Sequence, residues 1–199
     1  MNDRRDPTYK WIWLLTDYGR RDGFVASCHG VIARIAPPVR VEDITHDVPP
    51  RDIRHGAAVL AQTVPYLPRS VVVGVVDPGV GTSRRAIALA AGEIILVGPD
   101  NGLLLWAADA VGGASAAVEL DEPGFVLNVS ARTFAGRDVF APAAAHLASG
   151  VPLAALGPAL VVDDQQRLCG IFTGRDAVRA LAEGKNAEVT TLAHAMTLN

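Results

Sequence analysis

VVVGVVDPGVGTSRR, from Val71 to Arg85, decides the fold of this chain. Val71 to Val76 is almost wholly β-branched, with Gly74 inside it. A short continuous apolar run of that kind is the pattern of a central strand covered on both faces in a parallel sheet. The run stops at Asp77, and Gly79 and Gly81 follow at once. A buried strand that ends in a polar, glycine-containing loop is how open α/β sheets build sites at the carboxyl ends of their strands.

The same alternation extends in both directions. Trp11 to Leu15 is an apolar run ending at Thr16-Asp17, after which Phe24, Cys28, Val31, Ile32 and Ile35 recur at helical spacing until Pro37-Pro38 stops them. Val39 to Ile44 reads as a second strand and Ile53 to Val64 as a second helix, closed by Pro65 and Pro68. Beyond Arg85, the segments 86–90 and 94–97 read as a hairpin or two neighbouring strands, 102–111 as a short helix, and 139–147 as an Ala-rich helix. Val118 to Leu120 and Phe125 to Val129 are weaker strands. The expected fold is α/β, a mostly parallel sheet flanked by helices. Residues 1–10 are expected to be disordered, 11–157 to form the α/β domain, and 158–199 to be a separate fragment.

Composition bounds the function. The 199 residues are half hydrophobic and carry a formal net charge of −3, with Lys and Arg scattered rather than clustered, so nucleic acid is not an expected partner. The apolar runs are too short for a membrane-spanning helix and the N-terminus is too polar for a signal peptide, which makes the cytoplasm the expected location and excludes a membrane partner. Cys28 and Cys169 lie far apart without metal-ligand spacing, so neither a disulfide framework nor a metal site is expected.

Four polar segments carry the chemistry: TDYG at 16–19, VVDPGVGTSRR at 75–85, GPDNG at 98–102 and TFAGRD at 133–138. Asp17 closes the first strand, where a carboxylate accepts two hydrogen bonds from a ribose diol or, more plainly, caps a turn. Asp22 by itself is a helix-capping candidate. Gly79 and Gly81 permit a sharp turn or close approach of a ligand, and Arg84 is able to fold back on Asp77. The two arginines and the backbone N–H groups of this loop equally suit a phosphate cradle, although the Walker lysine spacing is absent. Asp100-Asn101-Gly102 is a turn sequence in its own right. Arg137 and Asp138 suit a local ion pair as well as a ligand contact.

The order and wording of these four segments resemble the S-adenosylmethionine hydrolases that release adenosine, the wider family of the fluorinating and chlorinating enzymes. The resemblance covers about 11–157. It implies hydrolysis of S-adenosyl-L-methionine to adenosine and L-methionine, by attack of water or hydroxide on the ribose C5′, with no cofactor. Asp77 and Arg84 are then catalytic. Asp17 meets the ribose diol, Asp22 the methionine amino group, and Gly79, Asn101 and Arg137 lie at the substrate. The halogenating relatives replace the aspartate of VVDPGVG, so Asp77 argues against halogenation.

Within TFAGRD, Ala135 stands where the resemblance places a catalytic histidine, and alanine neither accepts nor relays a proton. Slow hydrolysis is therefore expected; the alternative is a non-catalytic nucleoside-binding or regulatory protein. The family assembles as a homotrimer whose sites lie between the N-terminal domain of one chain and the β-rich C-terminal domain of another, a domain expected to be absent here. Residues 159–184 instead resemble half of a CBS domain, reading as strand, turn, strand and a helix from about Thr173, with AMT at 195–197 closing the likeness.

Overall fold

The computed structural model describes residues 7–127, 133–162, 168–172 and 197–198. Its strands are β1 (Trp11–Thr16), β2 (Arg40–Thr45), β3 (Ser70–Val75), β4 (Ala86–Ala91), β5 (Ile94–Pro99), β6 (Ala114–Glu119), β7 (Ala159–Val162), β8 (Leu168–Phe172) and β9 (Thr197–Leu198). Its helices are α1 (Phe24–Ile35), α2 (Ile53–Thr63), α3 (Leu105–Ala110) and α4 (Ala141–Ala148). The strands form one sheet in the order β2-β1-β3-β5-β4-β6-β7-β8-β9. Pairing is parallel from β2 through β1 and β3 to β5. It is antiparallel from β5 onward, so the α/β sheet is mixed and its parallel part holds the first two βα units.

Helices cover both faces, as the continuous apolar strands require. Ile12 and Leu14 of β1 and Val71, Val73 and Val75 of β3 pack under α1 and α4, with Cys28, Ile32, Ala144 and Leu147. Leu15, Val72 and Val76 face the other way, toward α2 and α3, with Leu60, Leu104 and Ala107. Every residue of β3 and of β5 is buried. Those strands also come close together at their glycines: a Cβ on Gly98 would run into the carbonyl oxygen of Gly74. Only glycine fits there.

Several boundaries differ from the sequence reading. Within the segment expected to be disordered, the Tyr9 N–H donates to the Ala148 carbonyl at 3.2 Å and Arg69 lies over its ring at 5.0 Å. The weak strand expected at 125–129 begins instead with a tight turn at Pro123–Phe125, and residues 128–129 lie outside the described segments. The helix expected at 139–147 starts earlier, as a π-helical turn over Gly136–Phe140 that runs straight into α4. β7 and β8 form the hairpin expected in the tail, and β7 continues the main sheet through Val118 and Ala159. The helix expected from Thr173 lies outside the described residues. None of the described helices is long and apolar enough to cross a membrane.

Candidate active site

The first βα unit turns from β1 over one face to β2, and the second returns from β2 over the opposite face to β3. That reversal opens a crevice at the carboxyl ends of β1 and β3. Asp17 follows the last residue of β1, and Asp77 stands just beyond β3. A cleft of about 340 Å³ lies there, with Asp17, Tyr18, Asp77, Phe134 and Ala135 among its walls.

Asp77 and Arg84 meet, as the fold-back of the DPGVGTSR loop suggests. The Arg84 Nε donates to Asp77 Oδ1 at 3.1 Å and Oδ2 at 3.0 Å, while Nη2 donates to Oδ2 at 2.5 Å. Only 5% of the Asp77 side chain and 16% of the Arg84 side chain are exposed. A third Arg84 donor, Nη1, bonds the Arg85 carbonyl at 3.2 Å, and the guanidinium lies 5.3 Å from the Phe140 ring centroid. Gly79 lets this happen, because a Cβ there would press on Arg84 Cγ at 3.3 Å. Arg85 is engaged as well, its Nε donating to Asp100 Oδ2 at 2.9 Å. Both guanidinium forks are taken by carboxylates, so neither is free to grip a phosphate.

Asp17 is half-buried at the cleft and accepts a hydrogen bond from the Arg51 N–H at 2.9 Å through Oδ2. Arg51 holds a φ of 67°, a conformation costly for a residue with a side chain, so the contact sits on a strained piece of backbone. Asp22 is exposed, and α1 is preceded by Gly23 with no side-chain cap, so Asp22 does not act as the helix cap. Asn101 ties loops together: its Nδ2 donates to the Val76 carbonyl at 2.8 Å and its Oδ1 accepts from Leu103 N–H at 3.1 Å. Arg137 forms a two-pronged pair with buried Asp138 and stacks 4.9 Å from the Phe134 centroid. Asp17 and Asp77 are thus brought to one cleft, with Arg84 behind Asp77. Gly79, Asn101, Arg137 and Asp22 are not among the residues that line it.

Ala135 is 8% exposed and lines the cleft. It also lines an adjoining polar cavity of about 500 Å³ walled by Arg84, Glu119, Asp121 and Asp138, so its methyl group stands between the two spaces. Sequence reasoning missed the aromatic wall. Tyr18, Phe24 and Phe134 pack edge to face, the Phe24 and Phe134 centroids 5.0 Å apart and those of Tyr18 and Phe134 5.5 Å apart. The signal was Tyr18 within TDYG, legible only as part of a motif. Burial, with the neighbouring Cys28, Asp17 and Asp77, pushes the Tyr18 hydroxyl well above the ordinary tyrosine range, so it stays a protonated donor. Burial likewise pushes the Cys28 thiol up to about 12, leaving it an inert core group.

The chain from 12 to 157 matches the SAM hydroxide adenosyltransferase N-terminal domain. It is 60% identical over 184 residues to the (R)-S-adenosyl-L-methionine hydrolase of Salinispora arenicola, covering 92% of this chain and 69% of that one. It is 44% identical over 193 residues to the (R)-S-adenosyl-L-methionine hydrolase of Thermus thermophilus, covering 90% and 69%. An uncharacterized conserved protein from Thermotoga maritima has a solved structure similar to 75% of this chain, with a TM-score of 0.71 and 38% identity. This chain spans 58% of that structure's length. An alignment of 184 residues necessarily runs past residue 157, so the likeness to the Salinispora protein continues into the tail. That leaves the half-CBS resemblance of 158–199 without support.

Proposed function

The chain belongs to the SAM hydroxide adenosyltransferase family, through the N-terminal domain that occupies residues 12–157, and from that membership we propose that it hydrolyses S-adenosyl-L-methionine to adenosine and L-methionine, slowly. The observation that carries this reading is the forked Asp77–Arg84 pair at the cleft that Asp17 and Ala135 also line. In the proposed reaction the water oxygen forms a bond to the ribose C5′ as the C5′–S bond breaks. The electron pair leaves with sulfur, converting the sulfonium to the neutral thioether of methionine, and the water's proton is released to solvent.

A sulfonium leaves without being protonated, so the demand on the protein is to hold a desolvated nucleophile in line. Arg84 favours hydroxide electrostatically, and Asp77 orients it while offsetting the guanidinium charge. The carboxylates and the aromatic wall of Tyr18, Phe24 and Phe134 suit the cationic sulfonium of the substrate. Asp17 takes the ribose diol. What the site lacks is an imidazole at 135, and this favours a second reading, a nucleoside-binding protein without turnover. A trimer in which a neighbouring chain closes the cleft belongs to the proposal and is checked by light scattering.

The deciding experiment incubates the protein with each sulfonium epimer of S-adenosylmethionine, since the relatives' names specify the (R) form, and follows adenosine by chromatography. Slow adenosine release that disappears in Asp77→Ala supports hydrolysis. Adenosine binding without release, in wild type and in Ala135→His alike, supports the second reading and overturns the first.

A further inference from the structure

We propose that His29, Asp43 and His46 form a binding site for a divalent transition-metal ion of the zinc class, beside the cleft and separate from its chemistry. His29 projects from α1, Asp43 from edge strand β2, and His46 from the residue just past the end of that strand. One ligand atom from each lies within 4.8 Å of the others. His29 Nε2 is 2.8 Å from Asp43 Oδ1, and His46 Nε2 is 3.0 Å from the same oxygen. Two imidazole nitrogens and one carboxylate oxygen are the donor set that zinc and its neighbours prefer.

A hydrogen-bonded His-Asp-His chain would explain the proximity but not the state of His46. Its side chain is 1% exposed, and Nε2 makes no hydrogen bond of good geometry although it lies 3.0 Å from Asp43 Oδ1. A buried polar nitrogen without a partner is costly. At the other end of the ring, Nδ1 lies 2.8 Å from Thr16 Oγ1. That oxygen already accepts from the Tyr18 N–H at 3.2 Å and has a second lone pair free for Nδ1–H. With the ring proton placed on Nδ1, that bond leaves the Nε2 lone pair bare, 3.0 Å from Asp43 Oδ1. A metal ion is what completes it, with Thr16 as the outer partner that fixes the ring, the usual arrangement around ligating histidines.

The geometry needs little adjustment. Ligand atoms around a tetrahedral zinc stand about 3.3 Å apart at ordinary bond lengths, so the two contacts to Asp43 must each lengthen by a few tenths of an ångström, while the imidazole nitrogens already lie within 4.8 Å of each other. His29 and Asp43 are 34% and 21% exposed, which gives them room to move and leaves the remaining coordination positions to water. Arg20 opposes binding, its Nη2 lying 3.8 Å from Asp43 Oδ2, but its side chain is 59% exposed and has room to turn into solvent. An ion held here would also steady the substrate loop, because the His46 carbonyl accepts the Gly19 N–H at 2.8 Å and His46 holds Thr16, the two ends of the turn that carries Asp17.

The test titrates Zn²⁺ into chelator-stripped protein of this sequence by calorimetry, with Co²⁺ as an optical probe, so it is independent of any turnover. One equivalent should bind, Co²⁺ should give the intense visible bands of a low-coordinate site, and Zn²⁺ should raise the melting temperature. His29→Ala and Asp43→Asn, both partly exposed and so able to fold, should each weaken binding by at least about tenfold and abolish the thermal shift. Wild-type binding weaker than about 1 mM, or binding and spectra unchanged in both variants, would overturn the site and leave a metal-free hydrogen-bonded cluster.

Discussion

Arg84 grips Asp77 along both carboxylate oxygens, Nε lying 3.1 Å from Oδ1 and 3.0 Å from Oδ2. A guanidinium held this way is nearly removed from water, and its charge is balanced only while the carboxylate is present. Asp77→Ala should therefore destabilise the fold by about 3–5 kcal/mol, the usual result of orphaning a buried charge. The double variant Asp77→Ala with Arg84→Met should recover part of that loss in urea unfolding while restoring no hydrolysis. A single variant as stable as wild type would mean that the pair is less buried than its geometry indicates.

Ala135 leaves room where a proton acceptor is wanted. Restoring an imidazole by Ala135→His should raise adenosine release by about 10²- to 10⁴-fold, the range of positioned acid–base assistance. The adjoining cavity gives the larger ring space beside Arg84, so the gain should come without loss of melting temperature. A wild-type rate equal to that of the variant would show that another group already serves as base.

Gly136 and Tyr18 are fitted to one another. A Cβ at 136 would occupy the position of the Tyr18 hydroxyl and approach Cζ at 3.0 Å. Gly136→Ala should displace the tyrosine, costing about 1–3 kcal/mol as overpacking does and weakening adenosine binding. Tyr18→Phe in the same chain should return part of the stability by removing the oxygen, which a pair of thermal melts would reveal.

Asp17 has two partners in prospect, the Arg51 N–H already bonded to it and the proposed ribose diol. Calorimetry of adenosine binding should show Asp17→Ala losing about 1.5–3 kcal/mol, the worth of a charge-assisted hydrogen bond. Unchanged affinity would remove Asp17 from the nucleoside site.

His146, at the end of α4 with its ring against Phe125, is pushed below the usual histidine value of 6.5 by burial. The unfolded chain therefore takes up a proton before the folded one does. The stabilising contribution is complete above about pH 6.5 and is lost as the pH falls through the lower folded value. His146→Gln should flatten the decline in unfolding free energy just below pH 6.5, measured by urea titration at several pH values.

Much of this site was legible because its signals are local. The apolar run from Val71 to Val76 has nowhere to go but between two layers, and a strand that ends in Asp-Pro-Gly must turn at the sheet's edge, so the α/β fold and the placing of Asp17 and Asp77 follow from order along the chain. Even the Asp77–Arg84 contact was within reach, because seven residues and two glycines allow a single loop to close on itself. The other assignments depended on neighbours far away in sequence. Whether Asn101 faces a ligand or a carbonyl is decided by Val76, and whether Ala135 is a packed methyl or the partition between two cavities is decided by where the π-helical turn sets it against the β4 and β6 ends. Likewise His29 and His46 read as unrelated residues until α1 packs beside β2 and gathers them on Asp43. Periodicity records which side of an element is apolar, but the choice of polar partners is made only when separate elements pack, and packing distances are not written in spacing.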